Sequence, residues 1–363
     1  STLRETRGLA RTDGRLVGRA VFAYYRWLGW HDPAAGVLSG IEAALKLAER
    51  YRRHPEQFPV EELRARAVPA WTHHETTVTE TWLRSLQAEP PLWVRARLGQ
   101  GSVLAKRLGD CRPAGGGFEA DALRYAGRAD LHRTREFHEG RFEIQDLHSQ
   151  AVGWLCGARP GETWWDACAG EGGKTLHLAD LMENRGLVWA SDRASWRLAQ
   201  LKRRAARAGL FNYRARLWTG GAALPTKTQF DGVLVDAPCS NLGTWHRNPH
   251  ARWTTRPEDV RELAAVQIRL LRHAVPALKP GARLVYAVCT LTRHETAAVA
   301  DALTEACPQL ERTPLSAPWP WARPESEGLW LDAAPGGGNG MFVAAWRRRP
   351  VMTALAKEGP PPL

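Results

Sequence analysis

From residue 150 onward the chain repeats one unit, an apolar stretch of strand length followed by a stretch with helical periodicity, and that alternation admits very few architectures. It predicts strands over 163–167, 187–191, 230–236, 282–288 and 340–346. Between them it predicts helices over 174–182, 193–208, 257–277 and 295–306. Strands separated by helices pair in parallel through right-handed crossovers, so residues 150–349 read as an α/β, Rossmann-like doubly wound sheet.

The residues before this unit are organised differently. Over residues 1–85 apolar positions recur at helical spacing, as in Val37, Ile41, Ala44, Leu45 and Ala48, which predicts a small helical domain. Glu89-Pro90-Pro91 ends that pattern, and residues 86–149 read as a small α/β subdomain with a strand over 92–98, a helix over 102–108 and a Gly-rich turn at 115–117. Residues 350–363, rich in Pro, are expected to be disordered.

Charge narrows the partners. Fifty Lys and Arg stand against 38 Asp and Glu, a net charge of +12, which favours a polyanion such as nucleic acid. Arg50, Arg52, Arg53, Arg64 and Arg66 make the helical domain a candidate RNA-binding element, although solvated helix faces give the same pattern. There is no run of about 18 apolar residues and no signal-peptide core, so a cytoplasmic protein without a membrane partner is expected. Six cysteines form no CxxC pair and no zinc-ligand spacing, so no metal is expected and their chemistry should be that of single thiols.

Two sites of chemistry stand out. In WWDACAGEGGKT, a strand ending at Asp166 runs through Cys168, Ala169, Gly170, Glu171, Gly172 and Gly173 to a helix beginning near Lys174. Such a loop lets a nucleotide-like ligand approach the backbone. A phosphate-binding Walker loop would need Gly at the position of Cys168, which argues against ATP. Asp192 ends the next strand, where a carboxylate can take both hydroxyls of a ribose, as in NAD or S-adenosylmethionine, or can simply cap the following helix. The second site is a pair of strand ends, VDAPCS at Cys239 and VYAVCT at Cys289. A lone cysteine is most often a buried apolar residue; two at strand ends beside one crevice need another reason.

Taken in order, Phe142 to Asp146, Ala167-Cys168-Ala169, Gly172-Gly173-Lys174-Thr175, Asp236-Ala237-Pro238-Cys239-Ser240, Asn248-Pro249, Arg252-Trp253, Gln267, Lys279-Pro280-Gly281 and Tyr286 to Cys289 resemble the RsmB/Sun family of RNA cytosine-5 methyltransferases. Gly340 to Ala344 fits that family's last strand, so the resemblance covers roughly 200 residues. It implies S-adenosylmethionine as cofactor and RNA as substrate, ribosomal RNA first and tRNA second, with the protein a monomer. It further implies Cys289 as the nucleophile, Cys239 as the thiol assisting product release, and Asp236 against the cytosine edge. Residues 168–174, Asp192, Arg197 and Asp236 would hold the cofactor, and Pro238, Arg247 and Arg252 the RNA.

The chain also departs from the family pattern. Glu171 takes the place of a Pro, Val288 that of a Thr, Arg293-His294-Glu295-Thr296 that of an acidic Glu-Asn pattern, and no acid follows the third strand, where Leu217-Trp218-Thr219-Gly220 stands. Adenine contacts are then expected from Trp218 or backbone groups, and Arg293 and the cofactor sulfonium are candidates for the positive charge that activates Cys289. The competing functions are a catalytically inert RNA-binding or ribosome-assembly factor on the same fold and an NAD-dependent oxidoreductase. The oxidoreductase leaves both cysteine motifs unexplained.

Overall fold

A computed structural model describes residues 11–350. The Pro-rich tail expected to be disordered lies, beyond Pro350, outside the described residues. Helices α1 (Arg11–Arg26), α2 (Gly36–Arg53), α3 (Val60–Arg66) and α4 (Glu80–Gln87) open the described chain. In α2 the buried stripe is Gly40, Ala44 and Tyr51, while Arg50, Arg52 and Arg53 occupy the last turn, where the helix dipole favours cations. Glu49 pairs with Arg52 at 2.7 Å and Arg53 at 2.6 Å, so part of this basic face is neutralised locally. Trp27, Tyr51, Phe58, Leu63 and Trp82 form the core of these helices, and Leu242, Trp245, Leu291 and Ala333 from the later part of the chain complete it.

A four-stranded antiparallel sheet follows, in the order β2-β3-β1-β4, made of β1 (Leu92–Ala96), β2 (Cys111–Pro113), β3 (Ala122–Tyr125) and β4 (Phe142–Ile144). Helix α5 (Gly101–Leu108) packs on it. Asp146 then caps α6 (Leu147–Cys156), accepting from the backbone N–H groups of His148 and Ser149.

The main sheet has nine strands. Its parallel part runs β7-β6-β5-β8-β9, with β5 (Thr163–Asp166), β6 (Leu187–Asp192), β7 (Tyr213–Leu217), β8 (Phe230–Asp236) and β9 (Leu278–Val288). The crossovers carry α7 (Gly173–Leu181), α8 (Ser195–Arg207), α9 (Pro249–Thr254) and α10 (Pro257–Ala274). After β9 come α11 (Ala297–Ala306) and the strands β10 (Leu310–Thr313), β11 (Ala322–Pro324), β12 (Leu329–Leu331) and β13 (Met341–Arg348). Strand β13 runs antiparallel to β9 and is flanked by β12 and β10.

Alternation decides which residue faces which layer. Trp164, Leu234 and Val285 face one core; Trp165, Val233, Val235, Leu284 and Tyr286 face the other. Both β5 tryptophans are essentially inaccessible, and burying one removes on the order of 200 Å² of surface, about 5 kcal/mol before entropy is subtracted.

Strands β5, β6, β8 and β9 and the helices between them match the sequence expectation to within a few residues, whereas the parallel edge strand β7 was not among the expected strands; the sheet is Rossmann-like. The strand expected from 282 begins at Leu278, because Lys279-Pro280-Gly281 continues as strand. Strands β10, β11 and β12 were not expected. They are only three or four residues long, and the ARP of β11 carries a Pro that fits an edge alone.

Candidate active site

In the sheet order β6-β5-β8-β9 the chain leaves β5 toward β6 on one side and β8 toward β9 on the other. A crevice opens at such a reversal, at the carboxyl ends of the strands. Here it is a cavity of about 580 Å³. Asp166, Asp192 and Asp236 reach it from the ends of β5, β6 and β8, and Cys289 from the residue after β9.

The glycine loop is held by its own backbone. Ala169 N donates to the Ser191 carbonyl at 2.8 Å, and Gly172 N to the Ala169 carbonyl at 2.8 Å. Gly172 has φ of +90°, and a Cβ there would lie 2.6 Å from Leu201 Cγ, so no other residue fits without movement. Asp192 accepts from Gly170 N at 3.0 Å and Ala194 N at 2.8 Å, tying the loop to the approach to α8. Arg197 comes within 3.9 Å of the same carboxylate. Glu171 points to solvent, while its carbonyl accepts from Arg204 at 3.0 Å. Trp218, Val266 and Leu270 form an apolar wall opposite. A carboxylate, open backbone and an apolar slot in a cavity of this size fit an adenosine-bearing ligand.

Asp166 serves the loop from beneath: Thr175 Oγ1 donates to it at 2.7 Å, and burial pushes its carboxyl up to about 7. Lys174 extends from the first turn of α7 to donate to Asp236 at 2.7 Å. Burial alone would lower the Lys174 pKa, but Asp236 outweighs it and the net shift is upward, so the ammonium persists.

The two thiols meet beside this ion pair. Cys239 is buried, Cys289 half-buried, and their Sγ atoms lie 3.4 Å apart. The hydrogen bond to Cys289, together with burial, holds the Cys239 thiol well above the usual range, so it is protonated. Asn241 Oδ1 lies 3.1 Å from Cys289 Sγ and 3.8 Å from Cys239 Sγ, while Asn241 Nδ2 donates to the Cys239 carbonyl at 2.8 Å.

One carboxylate joins the segments that carry the thiols. Glu295, fully buried, accepts from Ser240 N at 2.8 Å, Thr292 Oγ1 at 2.8 Å, Gln267 Nε2 at 3.0 Å and Thr290 Oγ1 at 3.1 Å. Ser240 Oγ also donates to it. Tyr286 adds its hydroxyl to Gln267 Oε1 at 2.9 Å and to the Glu295 carbonyl at 2.6 Å. Gly243 N donates to the Cys289 carbonyl at 3.1 Å, and its own carbonyl accepts from Gly340 N at 2.9 Å. A Cβ on Gly243 would lie 1.8 Å from the Gly340 oxygen.

Of the residues singled out from sequence, Cys168 to Glu171, Gly173, Lys174, Asp192, Arg197, Asp236, Pro238, Cys239 and Cys289 all line the cavity. Arg252 does not. It is fully buried and donates to the carbonyls of Arg26 at 3.3 Å, Ala67 at 2.9 Å and Leu86 at 3.0 Å, so it closes backbone ends of the helical region and cannot reach RNA. Trp245 and His246, which precede it in the same segment, are buried as well. Burial and the adjacent Arg247 charge lower the His246 pKa to about 4. Arg247 is tied at 3.0 Å to Asp146, the cap of α6, and stays off the cavity wall. Arg293 is exposed and lines a different pocket, so the cation whose field couples to Cys289 is Lys174. Sequence reasoning missed Asn241, although it directly follows the DAPCS run, and saw in Glu295 only a variant motif.

The family model for 16S rRNA methyltransferase RsmB/F matches residues 154–347. A probable ribosomal RNA small subunit methyltransferase B from Synechocystis is 37% identical over 195 residues, covering 53% of this chain and 42% of that protein. Ribosomal RNA small subunit methyltransferase B from Salmonella typhi is 32% identical over 277 residues, covering 72% of this chain and 62% of the relative. The chain thus spans less than two thirds of the length of these relatives. Among solved structures, PH0851 superposes with a TM-score of 0.73 at 21% identity over 95% of this chain and 93% of its own. NSun6 from Pyrococcus horikoshii, solved with SFG, gives 0.62 at 17% identity over 72% of this chain and 91% of its own. At such identities these two show the fold. The family-model match covers more than half of the sequence, and this chain belongs to the RsmB/F family of 16S rRNA methyltransferases.

Proposed function

We propose that this chain methylates carbon 5 of a cytosine in ribosomal RNA, with Cys289 as covalent nucleophile and Cys239 as the thiol that assists release. The observation that carries the proposal is the 3.4 Å pairing of these two thiols at the edge of the cavity that also holds the Lys174–Asp236 ion pair. S-adenosylmethionine, when bound, supplies the methyl group. Likeness to NSun6, whose structure contains the S-adenosylmethionine analogue SFG, supports that choice.

Carbon 5 of cytosine is a poor nucleophile until a thiolate adds at carbon 6 and turns the ring into an enamine. Cys289, the more accessible thiol, takes that role. Asp236, steadied by Lys174, is positioned at the strand end to meet the N3 and N4 edge of the cytosine, accepting from the N4 amino group, and from N3 once the ring nitrogen has taken up the proton that Cys289 gives up on adding to carbon 6. Once carbon 5 carries its methyl group, loss of its proton and expulsion of the Cys289 sulfur restore the aromatic ring. Cys239 lies close enough to take part in that elimination. Asp192 and the glycine loop hold the adenosine end, with Arg197 beside Asp192 and Trp218, Val266 and Leu270 against the adenine. The base must leave any stack to reach the thiols, so an unpaired or extruded cytosine is the substrate.

The test is a pair of variants incubated with unmodified ribosomal RNA and labelled cofactor. Cys289→Ala is expected to abolish both methyl transfer and covalent complex. Cys239→Ala is expected to accumulate a protein–RNA adduct that survives a denaturing gel. Adduct in the Cys289 variant, or none in the Cys239 variant, would overturn the assignment. Bisulfite mapping of the product RNA then identifies the cytosine.

A further inference from the structure

Next to the thiols sits an amide whose orientation is fixed by the chain itself. Asn241 has φ of +62°, the left-handed conformation that Asn tolerates better than most residues, and this turns its side chain back toward the two sulfurs. Its Nδ2 is engaged by the Cys239 carbonyl at 2.8 Å. Rotating the amide by half a turn would set Oδ1 against that carbonyl, two acceptors facing each other. Oδ1 therefore faces the thiols, 3.1 Å from Cys289 Sγ and 3.8 Å from Cys239 Sγ.

An amide oxygen only accepts. It can bond to Cys289 as S–H and has nothing to offer a thiolate except repulsion between lone pairs. We propose that Asn241 is a positioning residue that restrains the nucleophile, holding Cys289 in its protonated, unreactive form until substrate binding displaces the contact. The inference rests on the assignment of Cys289 as nucleophile. It adds a control on when that thiol becomes reactive.

The other groups around Cys289 do not replace this one. From α7, the Lys174 ammonium favours the thiolate but is shared with Asp236 at 2.7 Å. Cys239, on the loop after β8, is a protonated thiol whose S–H, 3.4 Å from the Cys289 sulfur, favours the thiolate as Lys174 does, while Glu295 adds negative potential around it. Asp166 lies deeper, under the loop, and adds to the negative potential around Lys174. Among these neighbours Asn241 is the uncharged acceptor aimed at the sulfur. It also lines both the main cavity and a second, more open one of about 480 Å³, bounded by Thr254, Thr255 and Glu262, so a ligand entering from either side meets it.

The test follows iodoacetamide alkylation of the Cys289 peptide by mass spectrometry across pH 6–10, using the full chain without RNA or cofactor. Asn241→Gly suits a φ of +62° and removes the acceptor. The midpoint of its alkylation profile is expected to fall by about half to one pH unit, with alkylation at neutral pH about three- to tenfold faster, the range expected for one neutral hydrogen bond. Asn241→Asp keeps the shape, places negative charge at the sulfur and is expected to raise the midpoint. A midpoint, unlike a rate, does not depend on how freely the reagent reaches the sulfur, and the opposite shift expected of the aspartate variant is one that a mere opening of the pocket does not give. An unchanged or raised midpoint in the glycine variant overturns the proposal. If that variant fails to fold, an unmoved midpoint in the aspartate variant overturns it equally. Methyl transfer to ribosomal RNA by the unaltered chain, measured alongside, reports separately on the nucleophile assignment: its absence refutes that assignment while the alkylation profiles still decide the role of Asn241.

Discussion

Replacing Glu295 with Ala should damage both stability and chemistry, because this carboxylate takes hydrogen bonds from three separate segments at once, at Ser240, at Gln267 and at Thr290 and Thr292. The substitution strips the acceptor from Ser240 N, Gln267 Nε2 and the hydroxyls of Thr290 and Thr292, all in a site closed to water. Each orphaned donor costs about 1–3 kcal/mol, and Ser240 and Thr290, whose hydroxyls already lie 2.9 Å apart, can satisfy each other in part. The net loss is then about 3–5 kcal/mol, comparable to breaking a buried charged network. In a protein of this size, at about 2.1 cal/mol/K of unfolding entropy per residue, that lowers the melting temperature by about 4–7 °C. Below that temperature the Cys239 and Cys289 loops lose their common anchor, so kcat for methyl transfer is expected to fall by about tenfold or more. The KM for cofactor should hold, since Asp192 and the glycine loop are untouched. Differential scanning fluorimetry and labelled methyl transfer measure the two effects. A variant melting within about 2 °C of the parent with its kcat intact would refute the reasoning.

Arg252→Ala is expected to lose about 3–5 kcal/mol of stability by leaving three buried carbonyls without a donor. The folded fraction should bind ribosomal RNA as the parent does; weakened RNA binding at full stability would return Arg252 to the substrate. Gly243→Ala should prevent the Cys239 and Cys289 loops from closing on Gly340 and abolish methyl transfer, and retained activity would refute the close approach. Asp166, raised from 3.8 to about 7 by burial, binds its proton more tightly in the folded state. Its contribution to stability is full below about pH 4 and is lost as pH rises through about 7. Asp166→Asn should therefore flatten the dependence of melting temperature on pH between about 4 and 7, and an unaltered profile would count against a buried, protonated carboxyl.

Much of this was legible in the sequence, for reasons that are local. Strands β5, β6, β8 and β9 are buried on both faces, so their apolar runs stand out against amphipathic helices; β7, with its YRARL sequence largely exposed at the edge, carries no such run and was not read. The cavity lies at strand ends, so residues such as Asp192, Asp236, Cys239 and Cys289 were marked by position as well as type. Side-chain direction was not legible. Arg252 was expected on RNA, yet together with Trp245 and His246 it packs inward against the helical region, a direction that the basic and aromatic residues of this run do not reveal. The role of Glu295 depends on partners 28 to 55 residues away along the chain, a separation no spacing rule detects. Short edge strands such as Ala322–Pro324 carry no periodicity to read.

The buried guanidinium of Arg252 also has a consequence for the order in which the molecule can be made. Its carbonyl partners lie 166 to 226 residues earlier in the chain. During synthesis the helical segment emerges first and must wait, with those carbonyls still hydrated, until residue 252 arrives. Arg26, in turn, donates to the His246 carbonyl at 3.2 Å, so each half finishes the other. A cut between residues 87 and 92 would not release two self-sufficient pieces: it would leave one with bare carbonyls and the other with a stranded cation.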